Sequence, residues 1–114
     1  MAENKRQFEL VMCIVNAGYS ESVMESARAA GARGGSILRG RGSANPEAEE
    51  FFNISIQSDK EIILILVSAD IKDKVIRTIY KNCGLSTEGR GIIFSLPVER
   101  TTLIKEEMEQ ELSK

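Results

Sequence analysis

Histidine is absent from the 114 residues. That removes the commonest general base and the commonest metal ligand. The two cysteines, Cys13 and Cys83, stand seventy residues apart with no CxxC pair. One falls in an apolar strand and the other at a helix end, so both read as free, reduced, packed thiols. No acids clustered at ligand spacing take the place of the missing ligands, and no metal site is expected. The longest apolar run, Ile62 to Val67, is far too short to span a bilayer, so membrane insertion is not expected. The opening MAENKRQFEL has no signal-peptide core, and the sequence reads as cytoplasmic. Basic excess is missing too: a net charge of −2 argues against general nucleic-acid binding.

What is present fits one domain over residues 1–114, small enough to gain from oligomerising. Gln7 to Val15 alternates as a strand, with apolar residues on both faces. Ser20 is placed to cap a helix from Glu21 to Ala30, with Gly31 as its stop. Gly35 to Arg39 reads as a weaker strand, and Gly40 to Pro46 as loop by composition. Phe51 to Ile56 resumes as strand, Gln57 to Lys60 turns, and Ile62 to Val67 is the most buried strand candidate. A helix follows from Ile71 to Asn82, stopped by Gly84. Gly91 to Val98 is a last strand, and Ile104, Met108 and Leu112 mark a C-terminal helical segment capped by Thr101 or Thr102. The order is an α+β, ferredoxin-like βαββαβ sandwich with an interrupted central hairpin.

Two helices cover only one face of a four-stranded sheet. The strands Leu10–Val15, Ile62–Val67 and Ile92–Leu96 are nevertheless apolar on both faces. A sister subunit is the simplest cover, which predicts a homo-oligomer of unspecified number. The alternative is a monomer whose C-terminal segment folds over that face.

The densest signal is GARGGSILRGRGS, residues 31–43, with five glycines and three arginines. From Ser26 to Pro46 there are four arginines and no acid. Glycine lets backbone N–H groups approach a ligand, and arginine offers a planar fork that fits phosphate oxygens. An anion, phosphate foremost, is one reading; a hairpin end with solvated charges is the other. A second Gly-Arg-Gly triplet stands at Gly89-Arg90-Gly91, beside Ser86 and Thr87. Both triplets lie at strand ends, where rigid strands hold ligand-binding loops, and Arg41 and Arg90 could close on a polyphosphate.

GARGGSILRGRGS and GRGIIFSLPVER, in that order and at that separation, resemble the PII signalling proteins, and more closely their short PII-like branch. The likeness runs from about Phe8 to Leu103. The resemblance implies a ferredoxin-like homotrimer that binds an adenine nucleotide (ATP, ADP or AMP) in its inter-subunit clefts. A mobile loop, here about Gly40 to Glu50, would then dock on a transporter, channel or enzyme. Carried over by position, the nucleotide site comprises Gly35, Ser36, Arg39, Gly40, Arg41 and Gly42, then Gly89, Arg90 and Gly91, with Lys105 near a phosphate contact. The partner-binding loop comprises Ser43, Ala44, Asn45, Pro46, Glu47, Glu49 and Glu50.

The chain also departs from the family. Its loop is short and lacks the tyrosine that nitrogen-regulating relatives can have uridylylated. Arg90 stands where an acid is usual, Ile92 where a lysine is usual, and Leu103 at a further basic position. These changes weaken the case for 2-oxoglutarate sensing with Mg-ATP and leave ADP, AMP, ATP or a cyclic nucleotide as ligands. Sequence reading therefore favours a non-enzymatic nucleotide-sensing regulator, with a trimeric interaction adaptor lacking a nucleotide as the alternative. An enzyme would have to rely on acids that look like solvated surface. An RNA module would want aromatics on the sheet, where this chain offers only Phe8, Phe51, Phe52 and Phe94.

Overall fold

The computed structural model describes residues 7–43 and 59–113. The expected strand Phe51 to Ile56 and the loop residues from Ala44 to Glu50 lie outside the described residues. Along the chain run β1 (Phe8–Asn16), α1 (Ser20–Ala29), β2 (Ser36–Arg41), β3 (Asp59–Ser68), a short 3-10 turn (Ala69–Ile71), α2 (Lys72–Cys83), β4 (Ile92–Pro97) and α3 (Lys105–Leu112). The sheet is antiparallel with strand order β2-β3-β1-β4, the ferredoxin-like arrangement.

Alternation within β1 and β3 builds the core. Val11, Cys13 and Val15 face the helices beside Ile63, Ile65 and Val67. Val23, Met24 and Ala27 of α1 and Val75, Ile79 and Cys83 of α2 close over them. Each fully buried Val or Ile contributes about 1.5–3 kcal/mol relative to exposure. The small side chain of Ala27 lets α1 approach closely. One polar clasp joins the helices: the Asn82 amide donates to Ser26 Oγ at 2.8 Å, while Ser26 Oγ donates to the Ser22 carbonyl at 2.9 Å.

Several boundaries differ from the sequence reading. Ser20 is the first residue of α1 rather than its cap; Tyr19 holds the cap position without a side-chain capping bond. Gly31 ends α1 as expected, with φ 110°. There the Ala32 amide bonds the Ala27 carbonyl at 2.9 Å and the Gly31 amide bonds that of Arg28 at 3.0 Å, the paired closure of a Schellman turn. Gly40 and Arg41 belong to β2, and Asp59 and Lys60 belong to β3, because the ladder runs on through Arg41↔Asp59. The helix expected from Ile71 begins one residue later, at Lys72, after the short 3-10 turn. Thr101 Oγ1 accepts from the Leu103 amide at 3.2 Å, one turn before α3 begins.

The other face of the sheet carries rows of apolar side chains in register. Leu66, Leu10 and Leu96 form one row, Leu64, Met12 and Phe94 the next, and Ile62, Ile14 and Ile92 a third. Ile92, Phe94 and Leu96 remain 51%, 37% and 44% exposed. The C-terminal segment does not cover them. It lies instead across a cleft from Phe8 and Val98, where Arg100 pairs with Glu111 at 2.5 Å and ties α3 to its own approach.

Candidate functional site

Antiparallel pairing brings the end of β2, the start of β3, the end of β1 and the start of β4 to one end of the sheet. The two Gly-Arg elements therefore share that end. They sit on opposite margins, because β3 and β1 lie between β2 and β4. Three strand spacings separate them, about 14 Å.

On the β2 margin, Arg39 stands opposite Glu61, Gly40 opposite Lys60 and Arg41 opposite Asp59. The stretch that is free of acids in sequence thus faces two acids in space. A cleft of about 680 Å³ opens there, lined by Gly18, Arg39, Gly40, Arg41, Asp59 and Lys60 among others. Glu61 is partly committed elsewhere. One oxygen accepts from the Gly18 and Ser20 amides, each at 3.1 Å, and so satisfies the free donors at the start of α1. Burial opposes its ionisation, but those hydrogen bonds together with one from the Ser20 side chain outweigh burial, Arg39 adds to them, and the carboxyl sits below its ordinary value. Gly35 just before β2 is dictated by packing, since a Cβ there would lie 2.7 Å from the Leu64 carbonyl oxygen. Ser36 lies opposite Leu64, and Gly42 and Ser43 follow β2.

On the other margin, residues 84–91 form a closed loop. Its neck is the bridge between Gly84 and Gly91 and the bond from the Gly91 amide to the Cys83 carbonyl at 2.7 Å. Any Cβ at Gly91 would collide with that same carbonyl oxygen. Inside the loop the Arg90 amide donates to Thr87 at 3.1 Å, and the Arg90 guanidinium donates to the Leu85 carbonyl at 2.9 Å. Arg90 adopts φ 49°, a left-handed conformation uncommon for a residue with a side chain. The Gly91 and Arg90 amides are therefore spent on the loop itself. Beside it lies an apolar groove of about 370 Å³, walled by Ile76, Tyr80, Leu85 and Ile92.

Lys105 does not join either element within one chain. β4 ends opposite Glu9, at the far end of the sheet, and α3 starts beyond it. The length of β1 puts roughly 27 Å between the two ends. Lys105 is exposed there and pairs loosely with Glu109 at 3.8 Å. Ala44, Asn45, Pro46, Glu47, Glu49 and Glu50 lie outside the described residues.

Sequence reasoning missed the polar residues that tie this end of the sheet together. Lys60 donates to Asn16 Oδ1 at 2.7 Å, and Asn16 Nδ2 donates to the Glu88 carbonyl at 2.9 Å. Tyr19 donates its hydroxyl to the Glu88 carboxylate at 3.1 Å, which raises the tyrosine's pKa. The one sequence signal was position: Asn16 follows one apolar run directly, and Lys60 stands two residues before another. Among the described residues no group of three His, Cys, Asp or Glu could hold a metal ion. Nor is any described helix long and apolar enough to cross a membrane.

Comparison with known proteins agrees with this architecture. Arabidopsis thaliana PII bound to citrate superposes with a TM-score of 0.65 and 25% identity, covering 89% of this chain and 83% of that one. A PII-like signalling protein from Thermus thermophilus superposes with a TM-score of 0.62 and 14% identity, covering 82% of this chain and 87% of that one, a likeness of fold. No curated protein sequence matches significantly. The profile of nitrogen regulatory protein P-II matches residues 8–108, from the first strand into the last helix. The chain therefore belongs to the nitrogen regulatory protein P-II family of regulatory signalling proteins.

Proposed function

We propose that this protein is a cytoplasmic homotrimer that senses an adenine nucleotide between its subunits and controls a partner transporter, channel or enzyme through the segment Gly40 to Glu50. The reading rests above all on one observation. The two Gly-Arg elements share one end of the sheet but stand on opposite margins, while the open face beside them is apolar. A cleft that uses both elements is built where the β2 margin of one protomer meets the β4 margin of the next. Arg39, Arg41 and the Gly40 and Gly42 backbone then face the phosphates. The groove beside Gly89, Arg90 and Gly91 takes the flat base, with Tyr80, Leu85 and Ile92 as walls. Gly35 and Ser36 border the same cleft, and Lys105 reaches it from a neighbouring subunit. The citrate held by the Arabidopsis relative is an organic polyanion and is consistent with anion capture in this family. No catalytic step is assigned to this site.

A ligand controls the segment only through differential affinity for its conformations. The test is a thermal shift with ATP, ADP, AMP, cyclic AMP and cyclic di-AMP. A true ligand at a hundred times its dissociation constant adds about 2.7 kcal/mol. A melting point unmoved by all five removes nucleotide sensing.

A second reading, a trimeric adaptor without a nucleotide, draws on the pairing of Arg39 with Glu61 and Arg41 with Asp59. Acids that already face both arginines reduce their attraction for phosphate. In that case the assembly forms and the five nucleotides do nothing.

A further inference from the structure

Lys60 and Asn16 stand opposite one another at the adjoining ends of β3 and β1. The stem of Lys60 lies against Gly42, where a Cβ would meet Lys60 Cε at 3.0 Å. Its ammonium donates to Asn16 Oδ1 at 2.7 Å. Asn16 then grips the 84–91 loop twice: Nδ2 donates to the Glu88 carbonyl and the backbone amide to the Gly89 carbonyl, both at 2.9 Å. One continuous set of contacts thus runs from Gly42, at the foot of segment 44–58, across two strands to the opposite margin.

The Asn16 amide has one workable orientation. Its oxygen faces an ammonium and its NH2 faces a carbonyl, so turning it over would create two repulsive contacts in place of two hydrogen bonds. The charged donor fixes that choice more firmly than a neutral one would. We infer that Lys60 and Asn16 form a strut coupling the foot of segment 44–58 to the 84–91 loop, with Asn16 as the positioning residue. Moving the Lys60 stem at Gly42 takes the ammonium off Oδ1, frees the amide to turn, and slackens the hold on Glu88. By linkage, a shift of the loop acts on Gly42 in return.

The experiment is backbone hydrogen exchange on the full-length protein without added ligand, so its outcome is independent of any nucleotide titration. Lys60→Met keeps the stem against Gly42 and removes the ammonium. Exchange at the Thr87, Arg90 and Gly91 amides should speed about tenfold, the effect of one lost charge-assisted hydrogen bond. Exchange within Ile63 to Val67 should stay unchanged, and Lys60→Arg should restore slow exchange in the loop. Gly42→Ala perturbs the strut from its far end, and should speed the same three amides several-fold without touching the loop directly. Added to Lys60→Met, Gly42→Ala should have no further effect there. Wild-type exchange in the loop of both Lys60→Met and Gly42→Ala overturns the strut, as does a simple multiplication of their effects. If Lys60→Met does not fold, Gly42→Ala alone decides by the same criterion.

Discussion

The Glu61 carboxylate of β3 accepts a hydrogen bond from the Ser20 amide at 3.1 Å, so an acid from the sheet caps a helix forty-one residues earlier in the chain. Its pKa is lowered in the folded state, against the pull of burial. The folded state therefore binds that proton less readily than the unfolded chain does. The resulting stability is fully present above the ordinary carboxylate value, about 4.3, and is lost as pH falls through the lower folded value. Glu61→Gln keeps an acceptor oxygen but not the charge. Denaturant midpoints should show the variant less stable than wild type above about pH 5, by roughly 0.5–1 kcal/mol. The gap should close in more acidic buffer. A gap that stays constant down to pH 3 would show that the charge contributes nothing.

Gly35 and Gly91 are fixed by close backbone approach. A Cβ at either position meets a carbonyl oxygen, that of Leu64 or Cys83, and a carbonyl cannot move aside as a flexible side chain can. Gly91→Ala and Gly35→Ala should each cost about 2–4 kcal/mol in urea unfolding. Gly34→Ala meets nothing within 4 Å and should stay within about 0.5 kcal/mol of wild type. Equal effects at all three positions would contradict the packing described.

Burial pushes the Cys13 thiol up to about 12, with Cys83 nearby adding to the rise. Above the ordinary thiol value of 9.0 the unfolded chain gives up this proton and the folded chain keeps it. Stability should therefore fall as pH rises beyond 9, with this one group contributing up to about 1.4 kcal/mol per pH unit. Cys13→Ala should flatten that slope whatever it does to the absolute stability. An unchanged slope between pH 9 and 10.5 would assign the alkaline loss to other groups.

Much of the fold was legible because the side-chain period states it outright. Val11, Cys13 and Val15 on one face and Leu10, Met12 and Ile14 on the other gave both the strand and its two apolar faces, of which the helices bury the first. The site was legible only in part. Gly and Arg mark residues 31–43 in any reading, but a sequence cannot show that Arg41 will face Asp59 across a ladder. Asp59 and Lys60 read as turn because polar residues flank the apolar run. Pairing with β2 and β1 makes them strand, and tertiary hydrogen bonding of that kind leaves no local signature. Caps failed for a related reason. Ser20 has the chemistry of a cap, but Glu61 arrives from another strand and supplies the acceptor first. The Lys60–Asn16 contact spans forty-four residues and has no periodicity to betray it.

The central claim is that a nucleotide site exists only where two protomers meet. Phe94 lies on the open apolar face, opposite Met12, and is not among the residues that line the groove beside Gly91. Phe94→Glu places a charge in the proposed subunit contact and should reduce the solution mass from about three times 12.6 kDa to one chain. Isothermal titration calorimetry of the adenine nucleotide giving the largest thermal shift, on wild type and on folded Phe94→Glu, is the most direct measurement. The account predicts one site per chain in the wild-type assembly and no measurable binding to the monomeric variant. Equal affinity in the monomer would contradict it.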